Sequence, residues 1–201
     1  PELAEPGVGR MQRGLLLHKS LEIFWKLTVD LAGLRSLGPA AREARIVDAV
    51  AQAGASLRQG IRYRADKAAA QVDETDWQRE EARMRRQLER LCILELQRAP
   101  FRVVMTEQAI DTCIAGASLE LRLDRVDAFE DGALALIDYK SSNLPQASRW
   151  LAARPGPVQL LVYLAALSGG GGDAARATGH GAQVAALATL HIGRKAPRFH
   201  G

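Results

Sequence analysis

The stretch Leu123-Asp124-Arg125-Val126-Asp127, followed after a turn by Leu136-Ile137-Asp138-Tyr139-Lys140, decides how the rest of the chain is read. Both pieces have the short apolar runs of β-strands, yet each carries ionisable groups at its end. A carboxylate beside Leu, Val and Ile is costly to bury unless a cation, a partner charge or a hydrogen-bond network compensates it. In Asp138-Tyr139-Lys140 the two-residue period of a strand sends Asp138 and Lys140 to one face. Paired strands lie about 4.8 Å apart, so Asp124 and Asp138 can converge on one point. Two hard oxygen donors on one side suit Mg²⁺ or Mn²⁺, and a nearby lysine can hold a water or offset charge developing on a phosphate. The competing reading is a surface hairpin in which Asp124 pairs with Arg125 or Lys140 and no chemistry occurs.

Working outward, Phe101 to about Ile110, Ser118 to Val126 and Ala133 to Tyr139 read as an antiparallel meander, with Glu130-Asp131-Gly132 as the turn between the last two. Three helical patterns precede it. Met11 to about Leu31 places His18, Leu21, Trp25 and Thr28 on one face, so His18 is expected to point inward. Gly38-Pro39 ends that unit, and Ala40 to about Arg58 forms the second. The third runs from about Asp73 to Arg98, with Asp73 or Thr75 as cap, Trp77, Met84, Leu88 and Leu91 as its stripe, and Pro100 barring continuation. After Pro155-Gly156-Pro157, Val158 to about Leu167 reads as a short helix. Gly169 to Gly172 opens a flexible loop ending near Gly181, and Gln183 to Ile192 is the expected final strand. Helices, three strands, a helix and a strand make an α/β chain with a mixed sheet flanked by helices.

The 201 residues suit one domain, read as a piece of something longer because the chain opens on Pro1 without Met or a signal peptide. Hydrophobic residues at 47% and charged residues at 25% fit neither disorder nor a membrane protein, since no apolar run approaches the roughly 20 residues that span a bilayer. A net charge of +4 is compatible with a polyanionic partner. Cys92 and Cys113 alone cannot build a disulfide framework or a four-cysteine cluster, and a reducing cytoplasm fits them best.

The motifs resemble a known family. Leu123-Asp124-Arg125-Val126-Asp127, then Ile137-Asp138-Tyr139-Lys140-Ser141-Ser142, then Gln159-Leu160-Leu161-Val162-Tyr163 look like the PD-(D/E)xK nucleases of the RecB type, the nuclease domains of bacterial recombination and repair helicase-nucleases. Arg13-Gly14-Leu15-Leu16-Leu17-His18 is similar to the family's early helix with its metal-binding histidine. The resemblance implies a restriction-endonuclease-like mixed central sheet with extra N-terminal helices. It also implies a Mg²⁺- or Mn²⁺-dependent deoxyribonuclease, an exonuclease of DNA repair or recombination in the bacterial cytoplasm. The implied partners are DNA and a helicase, in the same chain or as a separate subunit. By the same likeness Asp124, Asp138 and Lys140 are catalytic; His18, Asp124, Asp138 and the carbonyl of Tyr139 ligate metal; and Glu107, Gln159 and Tyr163 support them. Two departures stand out. Leu121-Arg122 replaces the glycine usual before the first Asp, and the cysteines of iron-sulfur members are missing, which removes that cluster.

Blander readings sit beside these. A histidine on an apolar helix face is often a hydrogen-bonded core residue. Gln159 and Tyr163 share a helix face and can simply pack on the sheet. Arg79, Arg83, Arg86 and Arg90 form a stripe that could follow phosphates, but Glu81 and Glu89 among them favour a solvated face; Arg194, Lys195 and Arg198 share that ambiguity. A catalytically inactive DNA-binding or partner-docking domain is the alternative function, which the intact Asp, Asp and Lys set argues against.

Overall fold

The computed structural model describes residues 7–63, 72–114, 116–141, 159–168, 183–193 and 196–200. Helices α1 (Arg10–Thr28), α2 (Leu31–Ser36), α3 (Pro39–Tyr63) and α4 (Glu74–Glu95) come first. Strands β1 (Arg102–Ile114), β2 (Ala117–Ala128) and β3 (Leu134–Lys140) follow, then α5 (Gln159–Ser168), β4 (Val184–His191) and β5 (Arg198–His200). The five strands form one sheet in the order β1-β2-β3-β4-β5. All pairs are antiparallel except β3 with β4. The mixed sheet flanked by helices is the expected restriction-endonuclease-like architecture.

Local chemistry explains most element ends. Asp73 caps α4 by accepting from the Asp76 N–H at 2.8 Å. The β2–β3 turn closes with Gly132 at φ 83°, a left-handed conformation that glycine adopts without a Cβ clash. Two elements escaped the pattern reading. Helix α2 spans six residues, capped by Asp30 accepting from the Gly33 N–H at 2.6 Å. Strand β5, not Gln183–Ile192, is the last described strand, and with three residues it shows no alternation. The loop expected from Gly169 to Gly181 lies outside the described residues.

Two apolar layers hold the sheet. Ile137, Tyr139 and Leu190 meet Leu17, Leu21, Trp25, Met84 and Leu88 of the helical side. Val126, Leu134 and Leu136 meet Leu160, Tyr163 and Ala166 of α5. Strand alternation therefore puts Asp138 and Lys140 on the α5 side, with Leu134 and Leu136.

A backbone clamp fixes α1 on the sheet. The helix stops where Val29 turns to φ 69°, an uncommon conformation for a β-branched residue. The Val29 carbonyl then accepts from the Val103 N–H at 2.8 Å, and the Leu31 N–H donates to the Phe101 carbonyl at 3.1 Å. From this clamp His18 lies about 16 Å back along the helix. Glu107 lies about 13 Å up the strand from the same point. The two reaches match closely enough for the side chains to meet.

Candidate active site

The site forms where β2 and β3 part. Their pairing runs from Ala128↔Leu134 to Arg125↔Ile137 and stops there. Past that point Asp124 Oδ2 accepts the Tyr139 N–H at 2.8 Å, so a side chain satisfies the backbone donor that the neighbouring strand leaves open. N–H and C=O of one strand residue point to the same edge, so the Tyr139 carbonyl is turned toward this corner as well.

His18 reaches the corner from α1. Its Nδ1 lies 2.7 Å from Glu107 Oε1 and 3.6 Å from Asp124 Oδ1. Glu107 sits opposite Asp124 in the β1–β2 ladder, between the pairs Thr106↔Arg125 and Gln108↔Leu123. Its φ of 48° is strained for a residue with a Cβ, at a cost of roughly 1–3 kcal/mol, and such strain gathers at functional sites. One ligand atom each from His18, Glu107 and Asp124 lie within 4.8 Å of one another.

Asp138 stands beside that trio and outside its mutual spacing, with Oδ1 accepting from Lys140 Nζ at 2.9 Å. Lys140 also donates to Gln159 Oε1 at 3.1 Å. Gln159 Nε2 donates to the Tyr163 hydroxyl at 2.6 Å, and that hydroxyl donates to the Arg122 carbonyl. The Gln-x-x-x-Tyr face of α5 thus braces Lys140 at one end and β2 at the other, two residues before Asp124.

Protonation follows from the crowding. Burial pushes Asp124 up to about 6, and the charges of Asp138 and Glu107 add to it, while His18 and the Tyr139 N–H oppose it. Burial also raises Asp138, with Lys140 and His18 opposing. Burial alone would lower His18, but its hydrogen bond to Glu107 and the charges of Asp124, Glu107 and Asp138 outweigh this and raise it above 6.5. Burial pushes Tyr163 up to about 12, which keeps its hydroxyl a donor at neutral pH. Carboxylates whose charged form is disfavoured, as burial disfavours it at Asp124 and Asp138, are the surroundings that a divalent cation relieves. The donor set of one imidazole and carboxylate oxygens therefore fits a metal ion.

A model of the PD-(D/E)XK nuclease superfamily matches residues 1–197. The chain belongs to the PD-(D/E)XK nuclease superfamily. Asp138-Tyr139-Lys140 spells the D-x-K of the PD-(D/E)XK name, and Asp124 lies on the neighbouring strand β2. No curated protein matches the chain. In this PD-(D/E)XK domain the expected residues His18, Asp124, Asp138, Tyr139, Lys140, Gln159 and Tyr163 all meet at one corner, and Glu107 stands between His18 and Arg122.

Two features were missed in the sequence. Arg122 reaches the site and donates from Nε to Glu107 Oε2 at 2.9 Å. Behind the site, Arg125 is fully buried, donating to Asp127 at 2.6 and 2.8 Å and to Glu95 Oε1 at 2.7 Å. Its guanidinium lies 4.1 Å from the centre of a Trp25 ring. Arg98 adds bonds of 2.7 Å to Glu95 and 2.8 Å to Asp127. Two arginines and two carboxylates thus tie α4 and the loop after it to β2. The two-residue spacing of Arg125 and Asp127 placed them on one face, but nothing local named Glu95 as their partner. On α4, Arg79 and Arg83 pair with Asp76 and Glu80; Arg79, Arg86, Glu89 and Arg90 are exposed, whereas Glu80 and Glu81 are buried and Glu81 pairs with Arg58 of α3, so only part of the stripe is a solvated face. Arg198 is exposed on β5, and Arg194 and Lys195 lie outside the described residues.

Proposed function

We propose that the domain is a Mg²⁺- or Mn²⁺-dependent deoxyribonuclease of RecB type, an exonuclease serving DNA repair or recombination in the bacterial cytoplasm alongside a helicase. The observation that carries the catalytic part is the compact trio His18, Glu107 and Asp124 beside the Asp138–Lys140 pair. A divalent ion held by that trio, with Asp138 and the Tyr139 carbonyl at hand, would supply Lewis acidity and a water of lowered pKa. The chain's own groups do the rest. Lys140, steadied by Asp138 and Gln159, is set to hold the attacking water and offset charge gathering on the phosphate. A cleft of about 470 Å³, lined by Trp25, Lys26, Val29 and the start of β1, opens beside Glu107 and offers room for a strand to approach.

The repair role, exonuclease action and helicase partner rest on the RecB-like motif order. The test compares wild type with Asp138→Ala and Lys140→Ala on end-labelled duplex and single-stranded DNA with Mn²⁺. Both variants should stay folded and lose cleavage. Undiminished cutting in either would reject the assignment, and salt-sensitive DNA binding by a wild type that never cuts would favour the non-catalytic alternative.

A further inference from the structure

Among the described residues, Arg122 is the one arginine or lysine hydrogen-bonded to the His18, Glu107 and Asp124 trio, and neither the D-x-K motif nor the Gln-x-x-x-Tyr helix accounts for it. It lies on β2 two residues before Asp124, so strand alternation places both on the same face. Its backbone is pinned, because the Tyr163 hydroxyl donates to its carbonyl. Its side chain bends over Glu107, giving the Nε–H to Oε2 at 2.9 Å, while Oε1 of the same carboxylate faces His18 at 2.7 Å. Glu107 is thereby gripped on both oxygens, one by an inward partner and one by an outward partner.

The rest of the guanidinium is unspent. The Arg122 side chain is 63% exposed, against 0% for Arg125, and among the described residues its terminal nitrogens have no partner. Guanidinium carries five N–H donors in a flat fork suited to two-point contact with phosphate oxygens. Buried Arg125 uses that fork up inside the protein. Arg122 presents most of it to solvent, at the rim of the acidic cluster.

We infer that Arg122 acts in two directions, orienting Glu107 with its Nε edge and binding a DNA backbone phosphate next to the scissile one with its terminal nitrogens. This deepens the nuclease reading above and rests on it. Phosphate contact makes Arg122 a substrate-binding residue, and its hold on Glu107 makes it a positioning residue for the metal-ligating trio. A cation there also counters repulsion between DNA and the carboxylates of the cluster.

The test measures DNA binding without turnover, using labelled single-stranded and duplex oligonucleotides in Ca²⁺, across a salt series. Arg122→Gln and Arg122→Lys are compared with Arg35→Gln, which removes one exposed positive charge on α2. Arg122→Gln should lose roughly fivefold in affinity and about one unit of salt slope. Arg35→Gln should keep both. Arg122→Lys should recover most of the slope, because a point charge still meets phosphate, without recovering Mn²⁺ affinity, because it lacks the edge that grips Glu107. Calorimetric titration with Mn²⁺ alone reads that second part, and thermal melting checks folding. An Arg122→Gln protein matching Arg35→Gln in affinity, slope and Mn²⁺ binding would overturn the inference. A wild type that binds DNA but never cuts it would sink the nuclease reading while leaving the Arg122 contact measurable.

Discussion

The Tyr139 N–H donates to Asp124 Oδ2 at 2.8 Å, immediately beyond the last β2–β3 pair, Arg125↔Ile137. One carboxylate thus ends a ladder and begins a cluster. Its second oxygen faces His18, so the residue that closes the backbone account of β3 also helps define the candidate metal site.

That double duty separates stability from activity at Asp124. Asn keeps an oxygen for the Tyr139 N–H and removes the buried charge. In the metal-free protein Asp124 holds its proton up to about pH 6, above the ordinary 3.8, so its contribution favours folding at low pH and fades as pH rises from about 4 to about 6. Asp124→Asn should therefore be more stable than wild type at pH 7 by about 1–3 kcal/mol, with the gap closing toward pH 4. Urea denaturation in EDTA measures this. Mn²⁺-dependent cleavage should fall at least about a hundredfold in the same variant.

Protons and metal should compete for the trio. His18 titrates above 6.5 and Asp124 at about 6, and a metal needs both deprotonated. Mn²⁺ affinity should be roughly constant at alkaline pH and drop at least tenfold from about pH 7.5 to about pH 5.5. Calorimetry across that range, with proton release read from buffers of different ionisation enthalpy, is the check. A flat profile would exclude His18 and Asp124 as joint ligands.

The brace on α5 should act as a unit. Tyr163→Phe removes the bond to the Arg122 carbonyl and leaves Gln159 Nε2 without its partner, at a cost of about 1 kcal/mol. Gln159→Ala frees Lys140 Nζ from one of its two bonds. Each variant should lower kcat more than it raises KM. The double variant should show a coupling of roughly 0.5–3 kcal/mol in a thermodynamic cycle. Strict additivity would mean that the two side chains serve separate ends.

The buried network behind the site should be critical for folding and not for chemistry. Arg125→Met strands Glu95 and Asp127, both fully buried, with Arg98 as their remaining cation. The expected loss is about 3–5 kcal/mol. Chemical denaturation should register it, and at low temperature the surviving folded fraction should still bind Mn²⁺.

Much of this could be read along the chain. The alternation in Asp138-Tyr139-Lys140 placed Asp and Lys on one face, and the apolar stripe of α1 turned His18 inward, because each signal lies within one element and one period. The short pieces α2 and β5 gave no period to read. The helical pattern of α1 also overran its end, since the stop at Val29 comes from pairing with Val103 across the fold and not from a glycine or proline.

Taken alone, the amino-acid order determined the longer elements, their apolar faces and the convergence of Asp124, Asp138 and Lys140, since these depend on side-chain type and local spacing, while the family resemblance singled out His18 and Glu107. Only the tertiary structure decided that Glu107, and not Asp138, completes the tight trio with His18 and Asp124, and that Arg122 overlooks it. That choice depends on a backbone turned to φ 48° on one strand, a ladder that stops at Ile137, and a helix clamped 11 residues from its histidine. These are relations between distant segments that no local pattern encodes.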